Sequence, residues 1–240
     1  MIKYSIFVPC YNEESCIGEN ILKLAFAIPE NMLKETEIIV VDDCSTDRTS
    51  KIIRDLIDNV AFNLKLISWV GFKPTRRENL IKSFKAAEGD IIAFTDADMS
   101  TNPYDFALLL ISARRFGICI GNRYDKGSKL ERSTKRFIIS KFINGLTRML
   151  FLTGLKDHFI GFKAFKKDKL LKIIEKTGKN KKYRSMWWDA EALIEAQKLD
   201  YPIASIPVTW TESKWTTLNF KREIGILYYM IKKRIELWIR

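Results

Sequence analysis

The sequence predicts an α/β domain in which a mostly parallel central sheet is flanked by helices. With 240 residues, of which 47% are hydrophobic, the chain can form one large domain with a packed core. In its first half, short apolar runs alternate with stretches of helical pattern, which is typical of a parallel sheet. Three of these runs end in the polar motifs "PCYNE", "DDCSTD" and "DADMS". Ligands bind beyond the carboxyl ends of the strands in such sheets, so these motifs indicate the site.

The predicted elements follow in chain order. The strands are expected at 4–8, 37–41, 64–68, 91–95 and 117–121. The helices between them are expected at 14–27, 46–59, 77–88 and 103–115. In the second half, a basic amphipathic helix is expected at 133–152 and a final basic helix at 219–240. Between them, a helix is expected near "WWDAEA" and a strand in "IASIPVTW". We expect one domain over residues 1–215 and a basic amphipathic C-terminal helix over 216–240.

The net charge of +12 indicates a polyanionic partner, which can be nucleic acid, an anionic membrane surface or a phosphorylated substrate. The four cysteines form no CxxC pair, which predicts reduced thiols in an intracellular protein. The opening "MIKYSIFVPC" is typical of a first strand rather than a signal peptide. The apolar runs are shorter than the ~18 residues of a membrane span, so a soluble or peripheral protein is expected.

Asp96 and Asp98 follow the fourth predicted strand. Residues two apart in an extended chain face the same way, so both carboxylates project together, with the small Ala97 between them. Two such carboxylates repel each other unless a cation lies between them. Mg²⁺ or Mn²⁺ would suit, with a substrate diphosphate completing the coordination shell. The alternative is that the aspartates cap a helix that begins near Pro103.

Paired carboxylates, Asp42 and Asp43, also end the second predicted strand. A carboxylate here can accept hydrogen bonds from a base or a ribose, and Tyr11 after the first strand can stack on a base. The next helix can instead be N-capped by Ser45, Thr46 or Asp47.

In this order, "VPCYNE", "VDDCSTD", "DAD" and "GNRY" resemble the inverting glycosyltransferases of family 2 over roughly residues 3–213. These have the GT-A fold, a Rossmann-like fold for nucleotide-diphosphate sugars. The stretch "GNRYDKGSK", the residues that follow it and "KDHFIGFKAF" are similar to the polyprenyl (dolichyl) phosphate mannosyl- and glucosyltransferases. The stretch "WWDAEALIEAQKLDYPIASIPVTWTES" is most similar to the glucosyltransferases.

The resemblance implies roles for individual residues. The nucleotide sugar would be held by Pro9, Tyr11, Glu13, Asp43, Ala97 and Asp98. The metal would be held by Asp96, Asp98 and Ser100. The acceptor phosphate would be held by Arg123, Arg132, Arg136 and Ser140. Arg136 and Ser140 are four apart on a predicted helix, so both can face one anion, although a solvated helix face is the alternative.

Some positions depart from the family pattern. A glycine-rich segment of the family is replaced by "FKPTRREN" at 72–79, where Arg76 or Arg77 can meet the diphosphate. An "SKL"-like element of the family is shortened here to "ESKWTTL" at 212–218, which contains Lys214.

Asp157 is the candidate catalytic base, and Asp189 with Glu191 are its rivals. A hydroxyl acceptor needs a base, whereas a phosphate monoester is already ionised near neutral pH, since its second pKa is about 6. With a lipid phosphate as acceptor, Asp157 would only orient the arginines, and catalysis would depend on Arg123. His158 is interpreted as a residue of local structure.

The resemblance implies a metal-dependent transferase that moves a hexose from UDP-glucose or GDP-mannose to polyprenyl or dolichyl phosphate. Its expected place is the cytoplasmic face of a membrane, as a peripheral protein. The alternatives are a glycosyltransferase for hydroxyl acceptors, a nucleotidyltransferase, which would lack this motif order, and a basic nucleic-acid-binding module. The last leaves the two aspartates unexplained, so no nucleic-acid partner is expected.

The predicted C-terminal helix carries an apolar stripe formed by Ile224, Leu227, Tyr228, Ile231, Ile235 and Trp238. Basic residues lie around it, namely Lys221, Arg222, Lys232, Lys233, Arg234 and Arg240. This pattern indicates a helix in the membrane interface, or one that packs on the protein's own core or on a partner chain.

Overall fold

The computed structural model describes residues 1–178, 184–212 and 220–238, and for residues 220–224, 226, 237 and 238 it describes only the helical backbone. The strands are β1 (Tyr4–Cys10), β2 (Thr36–Asp43), β3 (Asn63–Trp69), β4 (Ile91–Thr95), β5 (Ile118–Asn122), β6 (Lys129–Glu131), β7 (Phe162–Lys166), β8 (Ile203–Pro207) and β9 (Thr209–Thr211). The helices are α1 (Ile17–Ala27), α2 (Glu30–Leu33), α3 (Thr49–Ile57), α4 (Glu78–Ser83), α5 (Phe106–Phe116), α6 (Thr134–Phe151), α7 (Lys167–Thr177), α8 (Trp188–Lys198) and α9 (Phe220–Trp238).

Seven of the described strands form one sheet in the order β3-β2-β1-β4-β7-β5-β8. The pairs of β1 with β2 and β4, of β2 with β3 and of β5 with β8 are parallel. Among these described strands, only β7 runs antiparallel, between β4 and β5. The predicted, mostly parallel sheet is therefore confirmed, and all five strands of the first half lie where they are expected. A small second sheet pairs β6 with β9.

The first and second predicted helices begin a few residues later than expected, because the polar motifs before them form loops that bond to each other. The backbone N–H of Asn12 donates to the Ser45 hydroxyl at 2.9 Å, and that of Glu13 donates to the Thr49 hydroxyl at 2.9 Å. Asn12 has a φ of 55°, which Asn tolerates better than most residues. The loops after β1 and β2 are thereby held together at one edge of the sheet.

The core lies on both faces of the sheet, because successive residues of a strand point to opposite sides. One face buries Ile6, Val8, Ile38 and Val40 under α1 and α5. The other buries Phe7, Ile39, Val41, Phe84, Phe94 and Trp188 with α4, α7 and α8. Each fully buried large apolar side chain contributes about 1.5–3 kcal/mol, so the sheet is a rigid base for the loops at its edge.

Helix α9 packs on the chain's own core through Tyr229 and Met230, which join a buried cluster with Trp187. The Thr147 hydroxyl of α6 donates to the Met230 sulfur at 3.7 Å. The apolar stripe expected from the sequence lies on a different side of α9 from Tyr229 and Met230. In it, Tyr228, Ile231 and Ile235 are exposed, and Leu227 is half-buried. The side chains of Lys221, Arg222, Ile224 and Trp238, together with Lys214 and Arg240, lie outside the described residues.

All four cysteines are free thiols. Cys10, Cys44 and Cys119 are buried, whereas Cys16 is half-buried. None of the helices in the described ranges has both the length and the apolar character that crossing a bilayer requires.

Candidate functional site

The candidate site lies at the carboxyl ends of β1, β2 and β4. Pro9 is part of β1, and Tyr11 lies just beyond it with 40% of its surface exposed. Glu13 follows in the same loop, where burial raises the pKa of its carboxyl and the nearby carboxylates of Asp98, Asp47 and Asp96 raise it further. The loop thus offers an exposed aromatic ring beside a crowded group of carboxylates.

Asp43 is buried at the end of β2 and is bound by donors of the chain itself. Its carboxylate accepts hydrogen bonds from the Thr75 hydroxyl at 3.1 Å, the Arg76 backbone N–H and the Asn79 amide at 2.7 Å. These contacts fasten the segment at 72–79 to the end of β2. Any role of Asp43 toward a nucleotide stays a prediction.

Asp96 and Asp98 stand in the loop directly after β4, on either side of the buried Ala97. The Ala97 carbonyl accepts a hydrogen bond from the Asn20 amide at 2.9 Å, which anchors the loop on α1. The Asp98 carboxylate accepts bonds from the backbone N–H and the hydroxyl of Ser100, at 3.0 Å and 2.8 Å. The three residues predicted to hold a metal therefore lie together.

The capping interpretation of the two aspartates is wrong. The turn that begins at Pro103 is capped by Asn102, whose side-chain oxygen accepts from the Tyr104 backbone N–H at 3.1 Å. Asp96 and Asp98 take no part in this cap, so their position at the strand end has another reason.

Arg77 lies beneath the aspartates and not toward solvent, with 3% of its side chain exposed. It donates to both oxygens of the fully buried Asp189, at 3.0 Å from Nε and 2.8 Å from Nη2, and to Asp96 at 3.1 Å. Burial lowers the pKa of Arg77, but Asp189 and Asp96 outweigh it and the net pKa is raised. Arg77 thus holds Asp96 in place instead of reaching out to a diphosphate, and Arg76 is the exposed neighbour.

Gly161, directly before β7, lets the Asp96 carboxylate approach the backbone. A Cβ at this position would lie 2.6 Å or less from both carboxylate oxygens of Asp96. Two residues later, the fully buried Lys163 donates from Nζ to the Ile160 carbonyl. Burial lowers the pKa of Lys163 to about 8, against the opposing effect of the Asp189 and Asp157 carboxylates. Asp96 is therefore held between Arg77 on one side and this glycine on the other.

The residues at this edge fit a divalent cation whose coordination shell is completed by the substrate. Burial raises the pKa of Asp98, and the adjacent Asp96 carboxylate raises it further, as expected for two like charges side by side. Within the described ranges, no three His, Cys, Asp or Glu side chains form a metal site by themselves. Mg²⁺ is commonly bound by one or two carboxylates together with substrate phosphates, and Asp96 and Asp98 match that pattern.

Arg123 and Asp157 form a buried ion pair next to this edge. The backbone N–H, Nε and Nη2 of Arg123 donate to the two Asp157 oxygens at 3.1, 2.8 and 2.9 Å. Burial raises the pKa of Asp157, but the Arg123 guanidinium outweighs it and the net pKa is lowered. A carboxylate with a lowered pKa, both of whose oxygens accept hydrogen bonds, is a weak base.

The remaining residues of the predicted phosphate cradle divide into two groups. Ser140 accepts hydrogen bonds from Arg132 Nη1 at 2.9 Å and from the Tyr124 hydroxyl at 2.8 Å. Arg136 instead forms an ion pair with Glu212, whose other oxygen accepts from the Ser133 backbone N–H at 3.0 Å. Arg132 and Ser140 thus contact each other, whereas Arg136, which the sequence placed with Ser140 toward one anion, is paired with the Glu212 carboxylate.

Trp210 of β9 is a residue that the sequence did not single out. Its ring lies 5.6 Å from Arg123 Cζ and 5.0 Å from Arg132 Cζ. Arg132 Nε is buried and has no hydrogen-bond partner in the part of the chain that is described. Burial lowers the pKa of Arg132, and the neighbouring Arg123 lowers it further. Arg132 is therefore a cation whose surroundings favour the arrival of an anion.

His158 is buried and fully bonded. Its Nδ1 lies 3.1 Å from the Asn144 side-chain oxygen, and its Nε2 lies 2.7 Å from the Thr153 hydroxyl. Because the Asn144 oxygen only accepts, Nδ1 carries the proton and Nε2 accepts from Thr153. Burial lowers the pKa of His158 to about 4. These contacts agree with a structural role.

Comparison with known proteins places this geometry in a family. Residues 5–174 match the family described as "Glycosyl transferase family 2". The dolichyl-phosphate beta-glucosyltransferase of Dictyostelium discoideum is 29% identical over 91% of this chain and 69% of its own length. The dolichol-phosphate mannosyltransferase of Pyrococcus furiosus is 34% identical over 70% of this chain. Glycosyltransferase AglD of Haloferax volcanii is 28% identical over 93% of it. This chain spans 47% of the Pyrococcus protein and 35% of the Haloferax protein.

Solved structures support the same fold. Glucosyl-3-phosphoglycerate synthase from Mycobacterium tuberculosis, in complex with Mn²⁺, uridine diphosphate and glucosyl-3-phosphoglycerate, superposes with a TM-score of 0.68. It is 17% identical, and the match covers 97% of this chain and 80% of that one. At this identity the likeness concerns the fold alone, and the predicted GT-A fold is confirmed.

Proposed function

Because the chain belongs to glycosyl transferase family 2, we propose that it is an inverting hexosyltransferase that moves a sugar from a nucleotide-diphosphate sugar to a polyprenyl or dolichyl phosphate. Relatives named for dolichyl-phosphate glucosyl transfer and dolichol-phosphate mannosyl transfer support the lipid-phosphate acceptor. UDP-glucose is the preferred donor, since a glucosyltransferase matches 91% of the chain, and GDP-mannose is the alternative.

The donor side uses the loops after β1, β2 and β4. Tyr11 stacks on the base, while Glu13, Asp43 and the backbone around Ala97 fix the nucleoside at the sheet edge. The diphosphate lies at Asp96 and Asp98, which would hold Mg²⁺ or Mn²⁺ with support from Ser100. When bound, such a cation supplies positive charge that offsets the negative charge of the departing diphosphate.

The choice of acceptor rests on one observation, namely that the Arg132 side chain lacks a paired carboxylate among the described residues although it lies beside Arg123. Arg132 has a buried Nε without a partner and no carboxylate within ion-pair distance among the described residues. A phosphate monoester bound between Arg123, Arg132 and Ser140 would satisfy these donors and neutralise the excess positive charge. Arg136 joins them when the phosphate displaces Glu212. The pair of arginines therefore favours an anionic acceptor.

The buried carboxylates point in the same direction. Asp157 is bound on both oxygens by Arg123, and Asp189 is bound on both oxygens by Arg77. A hydroxyl acceptor would need one of them as a base, whereas an ionised phosphate needs none. Asp157 then keeps Arg123 in position. Transfer to a saccharide or other hydroxyl, with Asp157 or Asp189 as base, is the second candidate function.

The reaction follows from this placement. An oxygen of the acceptor phosphate attacks the anomeric carbon of the sugar from the side opposite the diphosphate. The bond between that carbon and the diphosphate oxygen breaks, and its electron pair leaves with the diphosphate. No proton has to move, because the acceptor is already ionised. Inversion gives a β-linked product from an α-linked donor.

We propose that the exposed apolar faces of α6 and α9 rest on the membrane that carries the acceptor. Ile138, Phe142 and Met149 recur at a spacing of four and seven along α6 and are exposed by 60, 67 and 65%. Exposed basic residues flank this stripe, namely Lys135, Lys141 and Arg148. Tyr228, Ile231 and Ile235 of α9 are exposed as well. An apolar stripe with basic flanks fits a helix lying in an anionic interface.

We propose a peripheral protein on the cytoplasmic face of a membrane, and the exposed apolar faces of α6 and α9 support its contact with that membrane. Residues 1–215 are proposed as the transferase domain, and α9, within the C-terminal stretch 216–240, as the helix that meets the membrane. Helix α9 can contact the protein core and the membrane at the same time, since Tyr229 and Met230 face the core while Tyr228 and Ile231 face solvent. No nucleic-acid partner is needed to account for the basic charge.

Calorimetric titration with UDP-glucose and GDP-mannose, with and without Mn²⁺, tests the donor half of this proposal. We expect metal-dependent binding of one donor by the wild type and its loss in Asp98→Ala. Asp125→Ala is the matched control, because Asp125 lies in the turn after β5, and we expect it to bind like the wild type. Binding that needs no metal and survives Asp98→Ala would contradict the role given to the two aspartates.

The variants Asp157→Asn and Asp189→Asn test the acceptor half. With a lipid phosphate as substrate, at least one of the folded variants should retain turnover. Loss of turnover in both, with normal donor binding and with activity on a saccharide hydroxyl in the wild type, would favour the second candidate.

A further inference from the structure

We propose that Trp210 is a positioning residue for the acceptor, whose indole holds Arg123 and Arg132 side by side and orients both toward one phosphate. This inference rests on the proposed function, since it assigns a role within the acceptor site. The three side chains lie on three different segments: Arg123 just after β5, Arg132 just before α6 and Trp210 on β9.

The contacts show why two cations can be neighbours here. The Trp210 ring lies 5.6 Å from Arg123 Cζ and 5.0 Å from Arg132 Cζ, and both distances are within the reach of a cation–π interaction. Asp157 neutralises Arg123 through a buried ion pair. Arg132 has no such carboxylate among the described residues, and its contacts are the Ser140 hydroxyl and this ring. The indole is thus a group in direct contact that offsets the repulsion acting on Arg132, alongside the nearby negative charges of Glu212 and Asp157.

The ring also has a fixed position relative to the donor side. Trp210 forms an isolated β-bridge with Thr101, which lies just beyond the Asp96–Asp98 loop. Two further backbone bonds frame this bridge, from Asn102 N–H to the Thr209 carbonyl at 2.9 Å and from Thr211 N–H to the Ser100 carbonyl at 2.8 Å. The strand that carries the indole is therefore bonded directly to Ser100 and Asn102, at the end of the loop that carries the proposed metal ligands.

Together, these contacts give Trp210 a specific function. The backbone bonds of β9 set its distance from the diphosphate end of the donor, and its ring sets the positions of the two guanidiniums. The acceptor phosphate would consequently be held at a defined distance from the anomeric carbon. Misplacement of reacting groups by about 1 Å can cost about a hundredfold in rate, so this coupling is expected to matter for turnover.

The test measures steady-state transfer from the nucleotide sugar to a short-chain polyprenyl phosphate in detergent. For Trp210→Leu we expect a rise of about tenfold or more in the acceptor KM, since two cation–π contacts are lost. Trp210→Phe keeps a smaller aromatic face, so its acceptor KM should lie between those of the wild type and Trp210→Leu. The donor Kd measured by calorimetry should stay unchanged in both variants. A purely structural role would instead alter donor binding and thermal stability together.

Two further variants keep the inference falsifiable. Phe116→Leu is the matched control, because it removes a similar contact away from the site: Arg115 Cζ lies 5.2 Å from the Phe116 ring. The acceptor KM of this variant should equal that of the wild type. If Trp210→Leu does not fold, tetrafluorotryptophan introduced at position 210 keeps the shape of the ring but removes its negative face. We expect this substitution to raise the acceptor KM.

The possible outcomes separate this inference from the proposed function. A wild type that transfers no sugar to polyprenyl phosphate would overturn the proposed function, whatever the variants do. A wild type that is active, together with a folded Trp210→Leu or a fluorinated variant that keeps the wild-type acceptor KM, would overturn only the role of Trp210.

Discussion

Replacing Gly161 by alanine should disable the site while leaving the fold largely intact. The added Cβ would lie 2.6 Å or less from both Asp96 oxygens, whereas ordinary contacts begin at 3.4 Å. The nearer oxygen would lie at 2.1 Å and must therefore move by about 1.3 Å to reach an ordinary contact. The backbone on the other side is held in the sheet by β7, so the side chain of Asp96 is the part that yields.

The movement has a predictable direction and cost. The Asp96 side chain is 45% exposed, so it can rotate toward solvent, away from its 3.1 Å contact with Arg77. A shift of about 1 Å in a group that positions substrate can cost about a hundredfold in rate. We therefore expect kcat/KM to fall by about a hundredfold and donor binding to lose its dependence on Mn²⁺.

The assay compares Gly161→Ala with Gly154→Ala, a loop position where a Cβ would meet nothing within 4 Å. Calorimetry gives the donor affinity with and without Mn²⁺, and a thermal scan gives Tm. Gly154→Ala should match the wild type in each measurement. Wild-type turnover and metal-dependent binding in Gly161→Ala would refute the account of how Asp96 is held.

Three further predictions concern stability and membrane binding. Asp157→Asn should lower the free energy of unfolding by about 3–5 kcal/mol in urea titrations, because it leaves the buried Arg123 charge uncompensated. The pKa of His158 is lowered from 6.5 to about 4, so as pH falls below 6.5 the unfolded chain takes up a proton that the folded chain does not. Stability should fall by up to about 1.4 kcal/mol per pH unit from this residue, and His158→Gln should remove that slope between pH 7.5 and 5.5. Phe142→Ser should weaken sedimentation with anionic vesicles by about tenfold, whereas Phe26→Ser on α1, which also removes an exposed phenylalanine, should have no effect. A pH slope that persists in His158→Gln, or equal vesicle binding by both serine variants, would contradict the respective argument.

Much of the fold follows from local sequence signals. The first five strands are apolar runs, and parallel strands bring their carboxyl ends to one edge of a sheet. The motifs after β1, β2 and β4 were therefore expected to lie close together. The loops after β1 and β2 are indeed hydrogen-bonded through Asn12 and Ser45, and Glu13 lies near Asp96 and Asp98. Strand β7 was missed because it contains Lys163, a residue that hydropathy assigns to the surface, although the structure buries it fully.

The supporting contacts of the site could not be predicted, because they join residues far apart in the chain. Arg77 and Asp189 are 112 positions apart, and nothing in either local sequence indicates their pairing. Trp210 had the appearance of an ordinary strand residue. Gly161 carried the one available signal, since a glycine between two apolar residues at the start of a strand marks a close approach of another group.

The most direct test of the central claim is the product of a single reaction. The wild type is incubated with UDP-glucose labelled at C1 with ¹³C, Mn²⁺ and polyprenyl phosphate, with the matching polyprenol as control, and the labelled carbon is observed by NMR. We expect glucose β-linked through C1 to the phosphate oxygen of the polyprenyl phosphate and no transfer to polyprenol, with GDP-mannose giving the corresponding mannosyl product if mannose is the donor sugar. Transfer to polyprenol, or an α-linked product, would contradict it.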